Sequence, residues 1–224
     1  MLPAFVLTTP QALKRYSTTF DLLEEADIPH SPYLAVKVLR PLTGKLRKEE
    51  ISHKISFAEI IKKAKAVGSE NVLIFEDDVV IPEGFNNEKL SFLLSELPEE
   101  FGVCYLGCYF RKGSTGKLKT HSEQLLELQR KKGRPLFIMW GSHAVIINRS
   151  VYAKVIAFLE DPTIPVTDKM FSTKIVTDHP CFLLKPPLLF QRHSSGSEPI
   201  SIHGNFPFEK MEEDTLSYIS KNTV

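Results

Sequence analysis

The stretch Asn71-Val72-Leu73-Ile74-Phe75-Glu76-Asp77-Asp78-Val79-Val80 runs a short apolar segment straight into three consecutive carboxylates. A segment of this length reads as a buried parallel strand. The carboxyl end of such a strand is where open α/β sheets hold their ligands. Three adjacent acids repel one another unless a cation neutralises them. Hard divalent cations such as Mg²⁺ and Mn²⁺ take oxygen ligands, usually a few from protein and the rest from water and substrate phosphate. These residues therefore predict a metal-assisted site for a phosphorylated substrate.

The neighbouring elements must position that strand. Ala4 to Thr8 reads as a first strand, and Thr9-Pro10 as the N-cap and first position of a helix carrying Leu13, Tyr16, Phe20 and Leu23 at helical spacing. A second strand is expected over Tyr33 to Leu39, then a polar, basic connection from Pro41 to Glu49. The spacing predicts a helix from Glu50 to Val67 with Ile55, Ala58, Ile61, Ala64 and Val67 inward and Gly68 as its stop. Asn87 to Leu97 reads as a helix, Phe101 to Leu106 as a strand, and Val151 to Leu159 as a helix. Leu136 to Asn148 is apolar but broken by Gly141-Ser142-His143. Arg111 to Thr120 lacks an apolar period; its Gly113-Ser114-Thr115-Gly116-Lys117 resembles half a phosphate loop without the full spacing, and is expected to be a mobile surface loop. Cys181 to Phe190 reads as a last strand, placed at an edge by Pro186-Pro187. The chain after Gln191 reads as an irregular tail. Strands alternating with helices predict an α/β fold with a mainly parallel sheet flanked by helices, a Rossmann-like arrangement over residues 1–205 with a tail over 206–224.

Composition narrows the classes. The chain has 224 residues, 42% hydrophobic, enough for one sizeable core. A net charge of +1, from 28 basic and 27 acidic residues, gives no electrostatic footprint for nucleic acid. No apolar run is long enough to span a bilayer. Met1 to Thr8 lacks the basic and small-residue features of a signal peptide. Cys104, Cys108 and Cys181 are an odd set, too few for a disulfide framework, and read as buried thiols in a reducing, cytosolic protein.

The order of motifs resembles glycosyltransferase family 25. The match begins with Phe5-Val6-Leu7-Thr8 and the Lys14-Arg15 helix, and continues through Glu50-Ile51-Ser52-His53-Lys54-Ile55-Ser56-Phe57, where His53 stands for the family's Cys and Phe57 for its His. The Val72–Asp78 strand carries its acidic motif. Gly141-Ser142-His143-Ala144-Val145 is similar to a Gly-Thr/Ser-x-Ala-Tyr strand, and Pro165-Val166-Thr167-Asp168 to its Pro-Val-Asp. Pro187 to Gln191, with Ser197 and Ile200, is similar to its closing pattern. The resemblance implies a GT-A fold that binds a nucleotide sugar, commonly UDP-galactose, and transfers the sugar with inversion to a hydroxyl of a glycan or protein acceptor. It also implies the divalent metal, Mn²⁺ or Mg²⁺; the lack of signal-peptide and membrane-anchor features makes a cytosolic bacterial or viral setting the expectation.

Carried onto this chain, the resemblance makes Asp78 the leading metal ligand, Glu76 a ribose or metal ligand, and Asp77 a partner of the donor sugar. His193 would add a further ligand, with His203 as the alternative, and Arg192 would meet the pyrophosphate. Thr8, Thr9 and Arg15 would border the nucleotide. The base that an inverting transfer needs is assigned to Asp168, with Asp178 as competitor. His143 and Trp140 are either acceptor-pocket or core residues. Two other readings remain at this level: a metal-dependent phosphohydrolase or nucleotidyltransferase, and an inactive nucleotide-sugar- or glycan-binding domain.

Overall fold

A computed structural model describes residues 2–38, 48–131, 134–164, 167–186, 188–192 and 208–224, with the backbone alone for Gln11, Leu13, Lys14, Arg15 and Phe208. The chain opens with β1 (Ala4–Thr8), α1 (Leu13–Glu25), β2 (Ser31–Leu34) and α2 (Lys48–Ala66). β3 (Asn71–Glu76), β4 (Val79–Val80), α3 (Asn87–Glu96) and β5 (Val103–Phe110) follow. Then come β6 (Leu118–Thr120), β7 (Leu125–Leu128), β8 (Met139–Asn148) and α4 (Tyr152–Glu160). α5 (Thr167–Met170) continues into a π turn; β9 (Phe182–Leu184), β10 (Phe190–Gln191) and α6 (Phe208–Asn222) complete the described chain.

Eight strands form one sheet in the order β2-β1-β3-β8-β5-β9-β7-β6. β2, β1, β3, β5, β9 and β6 run one way, and β8 and β7 run against them. The expected mixed α/β fold with a mainly parallel sheet flanked by helices is thus the one observed. β3, β5 and β8 are near-continuous apolar runs because both of their faces are covered. α2 packs on β1, β3 and α4, while α6 packs on β5. β4 and β10 pair separately as a small antiparallel ladder, Phe190 opposite Val80 and Gln191 opposite Val79.

Gly68 ends α2 as expected, at φ +70°, with Ser69 N–H returning to the Ala64 carbonyl. Several other expectations are corrected. Thr9 does not N-cap α1: Pro10–Ala12 form a 3₁₀ turn closed by Ala12 N–H on the Thr9 carbonyl, and α1 starts after it. β2 stops at Leu34 because the chain is captured by α2, where the Ser56 hydroxyl accepts from Val36 N–H and the Ser52 hydroxyl donates to the Val36 carbonyl. The buried residues of α2 are Ile51, Lys54, Ser56, Phe57, Ala58, Ile60, Ile61 and Ala64, so Ala58, Ile61 and Ala64 face inward as expected, whereas Ile55 is half-buried and Val67 is 74% exposed. The buried Lys54 ammonium is satisfied by the carbonyls of Asp161 and Ile164, both at 2.8 Å.

The segment after Arg111 is held rather than mobile. Thr115 and Gly116 donate to the Leu136 carbonyl, Ser114 and Ile138 exchange hydrogen bonds, and Leu118–Thr120 is a strand. The strand expected at an edge divides in two. β9 lies inside the sheet, covered by β7, and β10 leaves for the small ladder. The C-terminal residues are not irregular from 208 onward: α6 stacks Tyr218 on Phe110 at 4.5 Å, and Thr215 accepts from Phe110 N–H at 3.0 Å. All three cysteines are buried free thiols, and burial pushes the Cys181 thiol up to about 12.

Gly107 lets two layers touch. Its Cα passes under the 188–190 segment, where Leu189 N–H bonds the Leu106 carbonyl at 3.0 Å, and a Cβ would overlap the Leu189 carbonyl. Backbone cannot yield as a flexible side chain does, so Gly107→Ala is expected to lower unfolding free energy by about 2 kcal/mol or more, read as a fall in the urea midpoint.

Candidate active site

β3 carries Glu76 to the carboxyl end of the parallel strands, and the chain reverses through Asp77 and Asp78 into β4. The three acids then separate into two roles. Asp77 turns inward, 6% exposed, and its Oδ2 accepts from the Thr8 hydroxyl at 2.7 Å. The Asp77 carbonyl accepts from the buried Thr19 hydroxyl at 2.8 Å. Thr8 and Asp77, both expected to border the nucleotide sugar, thus hydrogen-bond each other at the end of β1 and β3. A buried carboxylate oxygen without a donor costs about 1–3 kcal/mol, which this pairing avoids.

Glu76 and Asp78 turn the other way and converge. Glu76 Oε2 lies 3.2 Å, and Asp78 Oδ1 3.4 Å, from one nitrogen, the Gln191 amide Nε2 on β10. The Asp78 carbonyl accepts from Arg192 N–H at 2.6 Å, which registers β10 against the acidic turn. Arg192 Nη2 is shielded from solvent and has no hydrogen-bond partner among the described residues. A guanidinium nitrogen in that state is suited to an anionic oxygen.

The other Glu76 oxygen, Oε1, is 3.0 Å from His53 Nε2 on α2. The His53 ring lies beside Phe57 at 4.9 Å, and its Nδ1 is 3.0 Å from the Thr167 hydroxyl. Burial disfavours charge on this imidazole, but the hydrogen bond and charge of Glu76, with Asp168 and Asp78 behind it, raise its pKa above the ordinary histidine value.

Asp168 follows Thr167 in α5. Its Oδ2 accepts from Gly141 N–H at 3.0 Å and its Oδ1 from Ser142 N–H at 2.9 Å. Those donors diverge from the strand because Gly141 adopts φ +87°, in the left-handed region that favours glycine. The apolar stretch expected to break here instead runs on as β8, with register shifts against β5. His143 is fully buried with Nε2 on the Leu189 carbonyl at 2.8 Å, a core histidine whose burial lowers its pKa. Trp140 carries the Arg111 guanidinium 3.6 Å above its ring.

The structure therefore brings Glu76, Asp78 and Asp168 into one neighbourhood. It places Asp178 elsewhere, paired with Lys154 at 2.7 Å. Thr9 and Arg15 lie at the end of β1 and on α1; His193 and His203 fall outside the described residues. His53, Thr167 and Gln191 were not assigned as site residues. The signal available for His53 and Gln191 was their place in the motifs that resemble family 25. Two surface hollows of about 270 Å³ each lie by the opposite end of β3, one beside Gly68 and Arg149 and one beside Glu70 and Asn71, away from these acids.

Among the described residues no three or more His, Cys, Asp or Glu side chains form a ready metal cage. Two converging carboxylates fit Mg²⁺ or Mn²⁺, which complete their shells with water and phosphate oxygens.

The chain matches no family model and no curated protein. Among solved structures it is similar to a CTP:phosphocholine cytidylyltransferase from Streptococcus pneumoniae, at 11% identity and a TM-score of 0.48 over 95% of this chain and 98% of that one. It is also similar to a glycosyltransferase involved in glycosylation of the major capsid of PBCV-1, at 17% identity and a TM-score of 0.43 over 77% and 76%. A third similar structure is A197 from STIV, at 13% identity and a TM-score of 0.41 over 86% of each chain. In the described residues no helix is long and apolar enough to cross a membrane.

Proposed function

We propose that this chain is a metal-dependent glycosyltransferase that moves a hexose from a UDP-sugar to a hydroxyl of a glycan or protein acceptor, with inversion. The observation that carries this reading is the convergence of Glu76 and Asp78 on one point at the carboxyl end of β3. The resemblance to family 25 supports galactose as the sugar.

In this reading Glu76 and Asp78 hold Mn²⁺ or Mg²⁺, with His193 as a further ligand. The bound ion supplies charge stabilisation for the leaving diphosphate. Arg192 offers its shielded guanidinium to the same phosphates, adding fixed positive charge where negative charge develops. Thr9 and Arg15, at the end of β1 and the start of α1, border the nucleoside. Asp168, half-buried across the site, takes the proton of the attacking hydroxyl. Its two backbone N–H partners hold the carboxylate in one orientation, so the base does not have to be ordered when the acceptor arrives.

The test is release of UDP from a panel of UDP-sugars, with Mn²⁺ or with a chelator, using water as acceptor. Metal-dependent release from one sugar is expected. Release of phosphate or pyrophosphate instead, or failure to bind UDP with Mn²⁺, would overturn the reading in favour of hydrolytic or nucleotidyl chemistry.

A further inference from the structure

We propose that His53 is a positioning residue that couples the donor half of the site to the acceptor half. The inference rests on the transferase reading above and names the residue through which its two halves communicate. His53 is contacted by elements far apart in the chain: Glu76, 23 residues away, at 3.0 Å, and Thr167, 114 residues away, at 3.0 Å. The next residue, Asp168, holds the N–H groups of Gly141 and Ser142. One connected series thus runs from Gln191 through Glu76, His53 and α5 to the bend in β8.

The chemistry of an imidazole suits this place. Its two nitrogens lie on opposite edges of a rigid plane, so a bond at one fixes the direction of the bond at the other. The Nε2–H donates to Glu76 Oε1, a carboxylate oxygen that only accepts, while Nδ1 meets a hydroxyl able to donate or accept a hydrogen bond. Packing beside Phe57 restrains the ring. With Oε1 held back by His53, Glu76 presents Oε2 toward Asp78 and Gln191. Partners of this kind orient the groups that meet a metal, and their loss commonly weakens binding by about 10–100-fold. A turn of the Glu76 carboxylate on donor binding would be carried through the ring to Thr167 and the adjoining Asp168.

The experiment measures Mn²⁺-dependent UDP binding by calorimetry in the wild type, Thr167→Val, His53→Phe, His53→Gln and the Thr167→Val/His53→Phe double variant. Among the described residues Thr167 is linked to Glu76 by the His53 hydrogen bonds, so its effect distinguishes coupling from general damage. Thr167→Val is expected to weaken binding about threefold to tenfold, and His53→Phe about 10–100-fold. The double variant should match His53→Phe, because the path is already cut. His53→Gln, which keeps a donor and an acceptor, should recover most of the affinity. Wild-type affinity in Thr167→Val, or independent effects that multiply in the double variant, would overturn the coupling while leaving the transferase reading in place. A wild type that binds no UDP with Mn²⁺ would overturn both.

Discussion

Asp78→Ala is expected to abolish Mn²⁺-dependent UDP release while leaving the fold intact. The Asp78 backbone carbonyl accepts from Arg192 N–H, and alanine keeps that bond. Its carboxylate instead points at the Gln191 amide, on the side where Glu76 arrives. Removing it takes away one of two converging anionic oxygens, and with it the charge that would retain a hard divalent ion. Metal stabilisation of a leaving diphosphate is worth several kcal/mol, so the loss should exceed about a hundredfold in rate. Turnover and thermal unfolding of the variant, followed with and without Mn²⁺, check both halves of the expectation. Unchanged turnover would remove Asp78 from the metal site.

Asp168→Asn should affect rate and stability together. As carboxylate, residue 168 accepts one N–H on each oxygen. An asparagine can accept on one side only; its NH₂ must face either Gly141 N–H or Ser142 N–H, donor against donor. The cost of leaving one backbone donor unsatisfied is about 1–3 kcal/mol of stability. If Asp168 is also the base, UDP release to water should fall by about 10²–10⁴-fold while Mn²⁺-dependent UDP binding changes little. A stability loss with near wild-type release would restrict Asp168 to holding the β8 bend.

What was legible in the sequence was what local pattern determines. The apolar run of β3 and its acidic tip were visible because burial on both faces leaves a continuous signal. The Gly68 stop was visible because a left-handed residue there is a local requirement. β2 was misread because Ser52 and Ser56, polar residues on α2, bind the backbone of Val36, and such tertiary pairing leaves no periodicity; on α2 itself Ala58, Ile61 and Ala64 are buried as expected, while Ile55 is half-buried and Val67 exposed. β7, at Leu125–Leu128, was missed because four residues carry too little alternation, and β9 was assigned to an edge on Pro186-Pro187, which lie beyond its end at Leu184. α6 did carry a signal in Thr215, Tyr218 and Ile219, which the polar stretch before it obscured. In the site, the carboxylates were evident and their separation was not. Nothing in Glu76-Asp77-Asp78 says that the middle acid turns under the sheet toward Thr8, because that follows from the buried partner and not from spacing.

The β4–β10 ladder consists of two residue pairs, whereas the acids it covers sit on the rim of an eight-stranded sheet. Cooperative units of such different size open at different free energies, the smaller far below the cost of global unfolding. The hold on Gln191 and Arg192 therefore comes less from the ladder than from Leu189, whose N–H and carbonyl are both engaged by the main sheet. One wall of the site thus belongs to the main sheet through β3, and the other is tied to it from outside, through the β10 ladder and the Leu189 contacts with Leu106 and His143 behind it.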